Sequence, residues 1–321
     1  MSILSPADRV GQVEPQASPD SIGTVACQGS PAARPDLRYP PGDWADLRRD
    51  AETGIESIRA HFTGHAYDMH DHDELLLGVT EQGVQSFRCG RQQVVSIPGR
   101  AILIEPGQPH DGHSPEPAGF TYQMLYLPLA WVQASRDTLS GPLAPLGFRQ
   151  TLWEDAGLCH DIAASFRALH GREGRLARDL ALDRLLGRLW QPDLWRQEPH
   201  PASRPHRAAR RARDALHDHM ADDIGLEELA GLSGIDRFRL HRQFREAFGR
   251  SPHAYLVQLR LKRAKALLAA GGAPADVAAS VGFADQSHLG RWFRRAYGTT
   301  PATYRQICTN IPDGDGLVPA S

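Results

Sequence analysis

The stretch Ala273–Arg305, APADVAASVGFADQSHLGRWFRRAYGTTPATYR, decides how the C-terminal third of the chain folds. Val277, Ala278 and Val281 fall on one face at helical spacing, and Gly282 ends that short helix. Asp285 stands as an N-cap for a second helix, Gln286–Tyr297, which turns Leu289, Trp292 and Phe293 inward. Gln286, Ser287, Gly290, Arg291, Arg294 and Arg295 occupy its other face, Gly298 closes it, and Thr300-Pro301 starts another turn. A short helix, a glycine turn and a capped helix with a basic outer face is how a helix-turn-helix meets the major groove of DNA. Taken alone, the stretch also admits a lesser reading, a helical hairpin with a solvated basic face.

The pattern occurs twice. Gly225–Gly249, GLEELAGLSGIDRFRLHRQFREAFG, repeats the short helix (Leu226, Leu229, Ala230, Leu232), the turn (Gly234-Ile235) and the cap (Asp236). Its second helix, Arg237–Phe248, spaces Leu240, Phe244 and Phe248 for a core and carries Arg237, Arg239, His241, Arg242 and Arg245 outside. The caps Asp236 and Asp285 lie 49 positions apart. Between them Pro252–Ala270 predicts one long helix, with Leu256, Leu259, Ala266 and Leu267 inward and Arg260, Lys262, Arg263 and Lys265 outward. Such a spacer would set two reading helices about one duplex turn apart.

GFADQSHLGRWFRRAYGTTPATYR resembles the C-terminal signature of the AraC/XylS-type transcription regulators. LAGLSGIDRFRLHRQFREAFGRSPHAYL resembles their first helix-turn-helix at the corresponding spacing, so the likeness covers the last third of the chain. It implies base-edge contacts from Phe238, His241 and Arg242 in the first reading helix, and from Gln286, Ser287, Gly290 and Arg291 in the second. Gly290 departs from the pattern, standing where a side chain often contributes, which shifts weight there to DNA shape and backbone contacts. The resemblance further implies a small-molecule effector, RNA polymerase as a partner, activation rather than repression, and a homodimer.

Charge divides the chain in the same place. The net charge of −2 combines a balance of −8 over residues 1–203, +8 over residues 204–310, and −2 from Asp313 and Asp315. A basic C-terminal part suits a polyanion, because each neutralised phosphate releases counterions. The acidic N-terminal part is excluded from that role. Cys27, Cys89, Cys159 and Cys308 show no metal-ligand spacing and read as free thiols of a reducing cytoplasm. No apolar run approaches the roughly 18–20 residues of a membrane span, and no signal-peptide pattern opens the chain.

Met1–Asp50 is rich in Pro, Ser, Gly, Asp and Arg without period and is expected to be a disordered extension. From Ile55 to Leu127 short strand-like segments alternate with turns at Gly83, Gly90, Gly99 and Gly107, which predicts a small β-barrel or sandwich. Gly64–His72 resembles the G-x5-H-x-H opening of cupin barrels, and Gly99 with Pro106–His110 resembles their second motif. Residues two apart on a strand share a face, so His70, His72 and Glu74 would point one way and His110 would join them. Those four are the candidate effector-lining residues, and His70, His72 and His110 the candidate ligands of a divalent metal. The pattern departs from the metal-binding cupins at Leu76 and Leu77, where their glutamate lies; a polar ligand pocket or hydrogen-bonded core histidines are the competing readings.

Pro128–Trp195 turns helical, and Leu182, Leu185, Leu186 and Leu189 form a leucine face that serves either a partner helix or the chain's own barrel. Gln191–Arg207 carries four prolines and reads as a linker. The expected fold is α+β in two domains, a cupin-like β-barrel with flanking helices followed by an all-α tandem helix-turn-helix domain. The expected segments are an extension 1–50, an effector and dimerisation domain 51–195, a linker 196–207, a DNA-binding domain 208–308 and a flexible tail 309–321. The expected function is ligand-controlled transcription regulation in the cytoplasm. A metal-dependent cupin enzyme with an appended helical domain is the alternative, and an interaction module binding proteins or acidic lipids is a third reading.

Overall fold

The computed structural model describes residues 42–90, 92–139, 147–196 and 205–309. Most of the expected extension, the linker segment 197–204 and the tail from residue 310 lie outside them, as does Cys27.

Among the described residues nine strands come first, β1 (Trp44–Arg49), β2 (Glu56–Phe62), β3 (His65–His70), β4 (Leu75–Gly83), β5 (Gln85–Cys89), β6 (Gln92–Ser96), β7 (Ala101–Ile104), β8 (His110–His113) and β9 (Phe120–Leu127), and a short tenth, β10 (Leu152–Trp153), follows the first helix. They form two antiparallel sheets, one ordered β1-β2-β9-β4-β7-β10 and one ordered β3-β8-β5-β6. Sheet-to-sheet packing, rather than a closed ring of hydrogen bonds, makes the barrel. The six-stranded sheet is buried on both sides, which is why its strands read as unbroken apolar runs. Leu76, Ile102, Ile104, Tyr122 and Met124 face the second sheet, together with Tyr67 and Phe87. The alternate residues Leu75, Leu77, Leu103, Leu125 and Leu127 face the helices α1 (Leu129–Leu139), α2 (Ala156–His170) and α3 (Arg175–Leu189).

Residues 44–49 correct the expectation of a disordered extension, since they form β1 at the sheet edge, paired to β2 from Trp44↔His61 to Arg49↔Glu56. An edge strand needs one hydrogen-bonded neighbour and no apolar run, so WADLRR offered little warning. The α3 leucine face is likewise resolved: Leu182, Leu185, Leu186 and Leu189 are all buried against the chain's own sheet.

The remaining helices are α4 (Arg207–Asp218), α5 (Leu226–Ser233), α6 (Arg237–Phe248), α7 (Pro252–Ala269), α8 (Pro274–Ser280), α9 (Gln286–Tyr297) and α10 (Pro301–Thr309). α4, α5 and α6 close one small core around Leu216, Leu229, Leu240 and Phe244. α7 to α10 close another around Leu261, Leu268, Val277, Leu289 and Phe293. α7 enters both cores through Leu256 and Leu261, so it is the shared spine. Its inner face is Leu256, Val257, Leu261, Ala264 and Leu268; Ala266, expected inward, is exposed.

Candidate nucleic-acid interface and histidine cluster

The second helix of each unit, α6 and α9, is built by local chemistry. α5 stops at Gly234, whose φ of 72° is the left-handed conformation a C-cap glycine adopts without strain. Asp236 then accepts hydrogen bonds from Phe238 N at 3.1 Å and Arg239 N at 2.9 Å, satisfying orphan donors at the start of α6. In the second unit Gly282 turns the chain at φ 85°, and a Cβ there would meet Ala221 O at 2.5 Å. Asp285 caps α9 by accepting from His288 N at 2.6 Å.

Phe238, His241 and Arg242 are exposed on α6, and Gln286, Ser287 and Arg291 on α9. Phe238 is 72% exposed, which nothing in the packing of a lone domain requires. The Arg237 guanidinium lies 4.8 Å from its ring centroid and pairs with Glu227. Gly290 faces open space, and the cleft around it is lined by Ser287, Arg291, Arg294 and Thr300. Neither Arg242 nor Arg291 enters an ion pair among the described residues.

The two units are stitched by Arg260 of α7. Its guanidinium donates to Met220 O at 2.8 Å, Asp222 O at 2.8 Å and Gly282 O at 2.6 Å. One side chain thus satisfies carbonyls in the α4–α5 loop of the first unit and in the turn of the second. The expectation that it faces outward is corrected: three convergent acceptors hold it in. Lys262 and Lys265 are corrected too. Lys262 pairs with Asp71 and, at 2.6 Å, with Asp73; Lys265 bridges Glu74 at 2.8 Å and Glu56 at 3.1 Å. Burial opposes the Lys265 charge, but Glu56 and Glu74 outweigh it and hold the ammonium well above its ordinary value. Tyr126, Tyr297 and Tyr304 surround it, each ring centroid within 5.8 Å. Arg250 with Asp71 at 2.7 Å, Arg295 with Asp68 at 2.6 Å, and Tyr304 donating to Glu56 at 2.5 Å complete the contact between sheet domain and helical domain. Sequence reading missed this contact. The available signal was the acid run Asp71, Asp73, Glu74 opposite a Lys262–Lys265 pair at helical spacing.

His70, His72 and His110 converge. One nitrogen from each lies within 4.8 Å of the others, and all three residues are buried. His70 ends β3 and His110 opens β8, and the two are register partners across the sheet. His70 Nδ1 lies 2.7 Å from Asp68 O and His110 Nδ1 2.9 Å from Gln108 O. A carbonyl only accepts, so each Nδ1 carries the proton and each Nε2 keeps a free lone pair. Burial, then the neighbouring His110, pushes His70 well below the usual histidine range; burial does most to lower His72 and His110 as well. The rings are therefore neutral at pH 7 and fit to bind a metal. His72 Nε2 is buried without a hydrogen-bond partner, which is the position a ligated ion would satisfy. These residues fit a divalent transition metal.

Glu74 does not join them. The strand stops at His70, residues 71–74 are irregular, and the Glu74 carboxylate goes to Lys265. The expected single pocket is thus two. His70 and His110 line a cavity of about 30 Å³ between the sheets, whereas His72 and Glu74 line one of about 270 Å³ between sheet and helical domains.

Residues 52–186 match the family model of the AraC-like ligand binding domain, and residues 229–307 match that of a helix-turn-helix domain. The chain belongs to the AraC family of transcription regulators. The AraC-family chain is 26% identical over 252 residues to the uncharacterised HTH-type transcriptional regulator YbfI of Bacillus subtilis, covering 76% of this chain and 88% of that one. It is 36% identical over 92 residues to the HTH-type transcriptional activator RhaS of Escherichia coli, covering 28% of this chain and only 33% of RhaS. The crystal structure of ToxT from Vibrio cholerae aligns over 85% of this chain and 100% of its own at 11% identity and a TM-score of 0.44. As an AraC-family member this is a DNA-binding transcription regulator with an N-terminal ligand-binding domain. No described helix is long and apolar enough to cross a membrane.

Proposed function

We propose that the chain is a cytoplasmic, sequence-specific transcription activator whose grip on DNA is set by a ligand of the sheet domain. Phe238, His241 and Arg242 read base edges in one major-groove segment, and Gln286, Ser287 and Arg291 read the next, with Gly290 admitting the DNA backbone. The observation that carries this is the pairing of two Asp-capped helices with exposed outer faces on one spine, α7. That spine is also the element the sheet domain holds through Lys262 and Lys265. A ligand that favours one arrangement of this contact by about 1–3 kcal/mol would change DNA affinity by roughly 5- to 150-fold. RNA polymerase is the partner that activation requires. A homodimer would need surface other than the buried Leu182–Leu189 face; exposed Leu176 and Leu180 on α3 supply it.

The test is selection of bound sequences from a random duplex pool with the full chain, at fixed salt, with and without candidate small molecules. A bipartite consensus with half-sites about one turn apart is the expected result. Recovery of unselected sequences would sink the reading.

The three histidines favour a second component of that reading, a metal. If bound, the ion would be held by His70, His72 and His110 and would supply a fixed positive charge between the two sheets.

A further inference from the structure

The segment His70–Glu74, HDHDE, has two working sides. His70 and His72 belong to the histidine cluster. Asp71, Asp73 and Glu74 hold Arg250, Lys262 and Lys265 of the helical domain, and Gln258 of α7 donates to the Asp71 carbonyl at 2.8 Å. The His72 ring itself packs 5.9 Å from Tyr297, the last residue of the reading helix α9. No residue separates the candidate ligands from the candidate anchors.

Volume selects the ligand. Pockets for organic ligands run to roughly 300–1,000 Å³, and about 10–15 Å³ admits one water-sized probe. The cavity at His70 and His110, about 30 Å³, accommodates a single ion and no metabolite. Its donors are imidazoles, which suit first-row transition metals such as Zn²⁺, Co²⁺ and Ni²⁺ over Mg²⁺ or Ca²⁺.

We propose that this chain is a metal-responsive regulator: a divalent transition-metal ion on His70, His72 and His110 loosens the hold of the His70–Glu74 ribbon on α7 and so raises DNA affinity. The proposal rests on the ligand-controlled reading above and names its ligand. The sign comes from charge. Arg250 and Lys265 are close enough to act electrostatically on His70. A dication seated there repels both, and it draws the carboxylates of Asp71 and Glu74 away from their present partners. Release of the ribbon also frees Arg295 of α9 from its pair with Asp68 near the end of β3.

The experiment uses the full chain, stripped of metal and titrated with Co²⁺, with absorption of the ligated ion and fluorescence anisotropy on the selected duplex read in parallel. Wild type should develop a stoichiometric visible band, and its DNA affinity should rise about tenfold as the band saturates. His72→Gln should lose both the band and the metal-dependent change in DNA affinity. Glu74→Gln, a conservative change at a quarter-exposed side chain, should keep the band but start at the higher affinity and respond less than about threefold. Absence of a band in wild type overturns the proposal, as does a band with less than about a twofold change in affinity. A full tenfold response in Glu74→Gln overturns the ribbon as the route. Failure of the metal-free protein to prefer any sequence would instead strike the regulator reading, so the two failures are separable.

Discussion

Phe238, Arg242 and Arg291 illustrate what single residues decide. Each is exposed on the outer face of its helix. Arg242→Ala and Arg291→Ala should each weaken cognate binding by about 1–3 kcal/mol if they make bidentate guanine contacts. Anisotropy on cognate and random duplexes checks this, and an equal loss on both would make them phosphate contacts instead. Asp285→Ala removes the cap of α9 and should cost about 1 kcal/mol of stability, read from the urea midpoint. The caps and the exposed faces of α6 and α9 were legible in sequence, because an N-cap and a helical period are local properties. The fate of Lys265 was not. A lysine at helical spacing among Arg260, Lys262 and Arg263 looks solvated until Glu56 and Glu74, some two hundred positions away, are brought to it.

At the scale of elements, α3 and the β1–β2 turn are held together by Arg178, which pairs with Asp50 at 3.1 Å and also with Glu52 and Asp179. Burial tends to raise the Asp50 carboxyl, but the two hydrogen bonds from Thr53 and the Arg178 charge outweigh it and lower it below its ordinary 3.8. A depressed folded value means that the stabilisation is complete above about 3.8 and vanishes as pH falls through the lower folded value. Wild type should therefore lose stability relative to Asp50→Asn on acidification through that window, as thermal melts at stepped pH would record. Equal pH profiles would refute the contribution. Arg260 works on the same scale, since it joins two helical units through three carbonyls. Arg260→Met leaves those acceptors unsatisfied and should lower stability by about 1–3 kcal/mol per buried carbonyl that water fails to reach. Its DNA binding should fall more than its stability, because the spacing of the reading helices is what the stitch maintains. A variant with unaltered footprint and affinity would show that α7 packing alone suffices.

For the whole molecule, the described residues, 42–309 apart from the gaps named above, fall into one compact unit despite two separable sequence textures. The ion pairs between sheet and helical domains explain this, the Lys265 pairs above all, since breaking them leaves buried charges without partners. Calorimetry of the full chain should show one unfolding transition, and Lys265→Met should split it into two by leaving Glu56 and Glu74 without their shared cation. Two transitions already present in wild type would mean the contact is too weak to couple the domains.

Sequence alone determined the tandem helix-turn-helix, its caps and its exposed basic faces, the sheet character of the first domain, and the three histidines. These depend on period, turn chemistry and short motifs, all of which act within a few residues. Only the tertiary structure decided that Glu74 leaves the histidines for Lys265, that the α3 leucines cover the chain's own sheet, and that Trp44–Arg49 is an edge strand. Each of these is settled by a partner distant in sequence. An ionic or apolar side chain goes to whichever such partner lowers its desolvation cost most, and no local pattern encodes that choice.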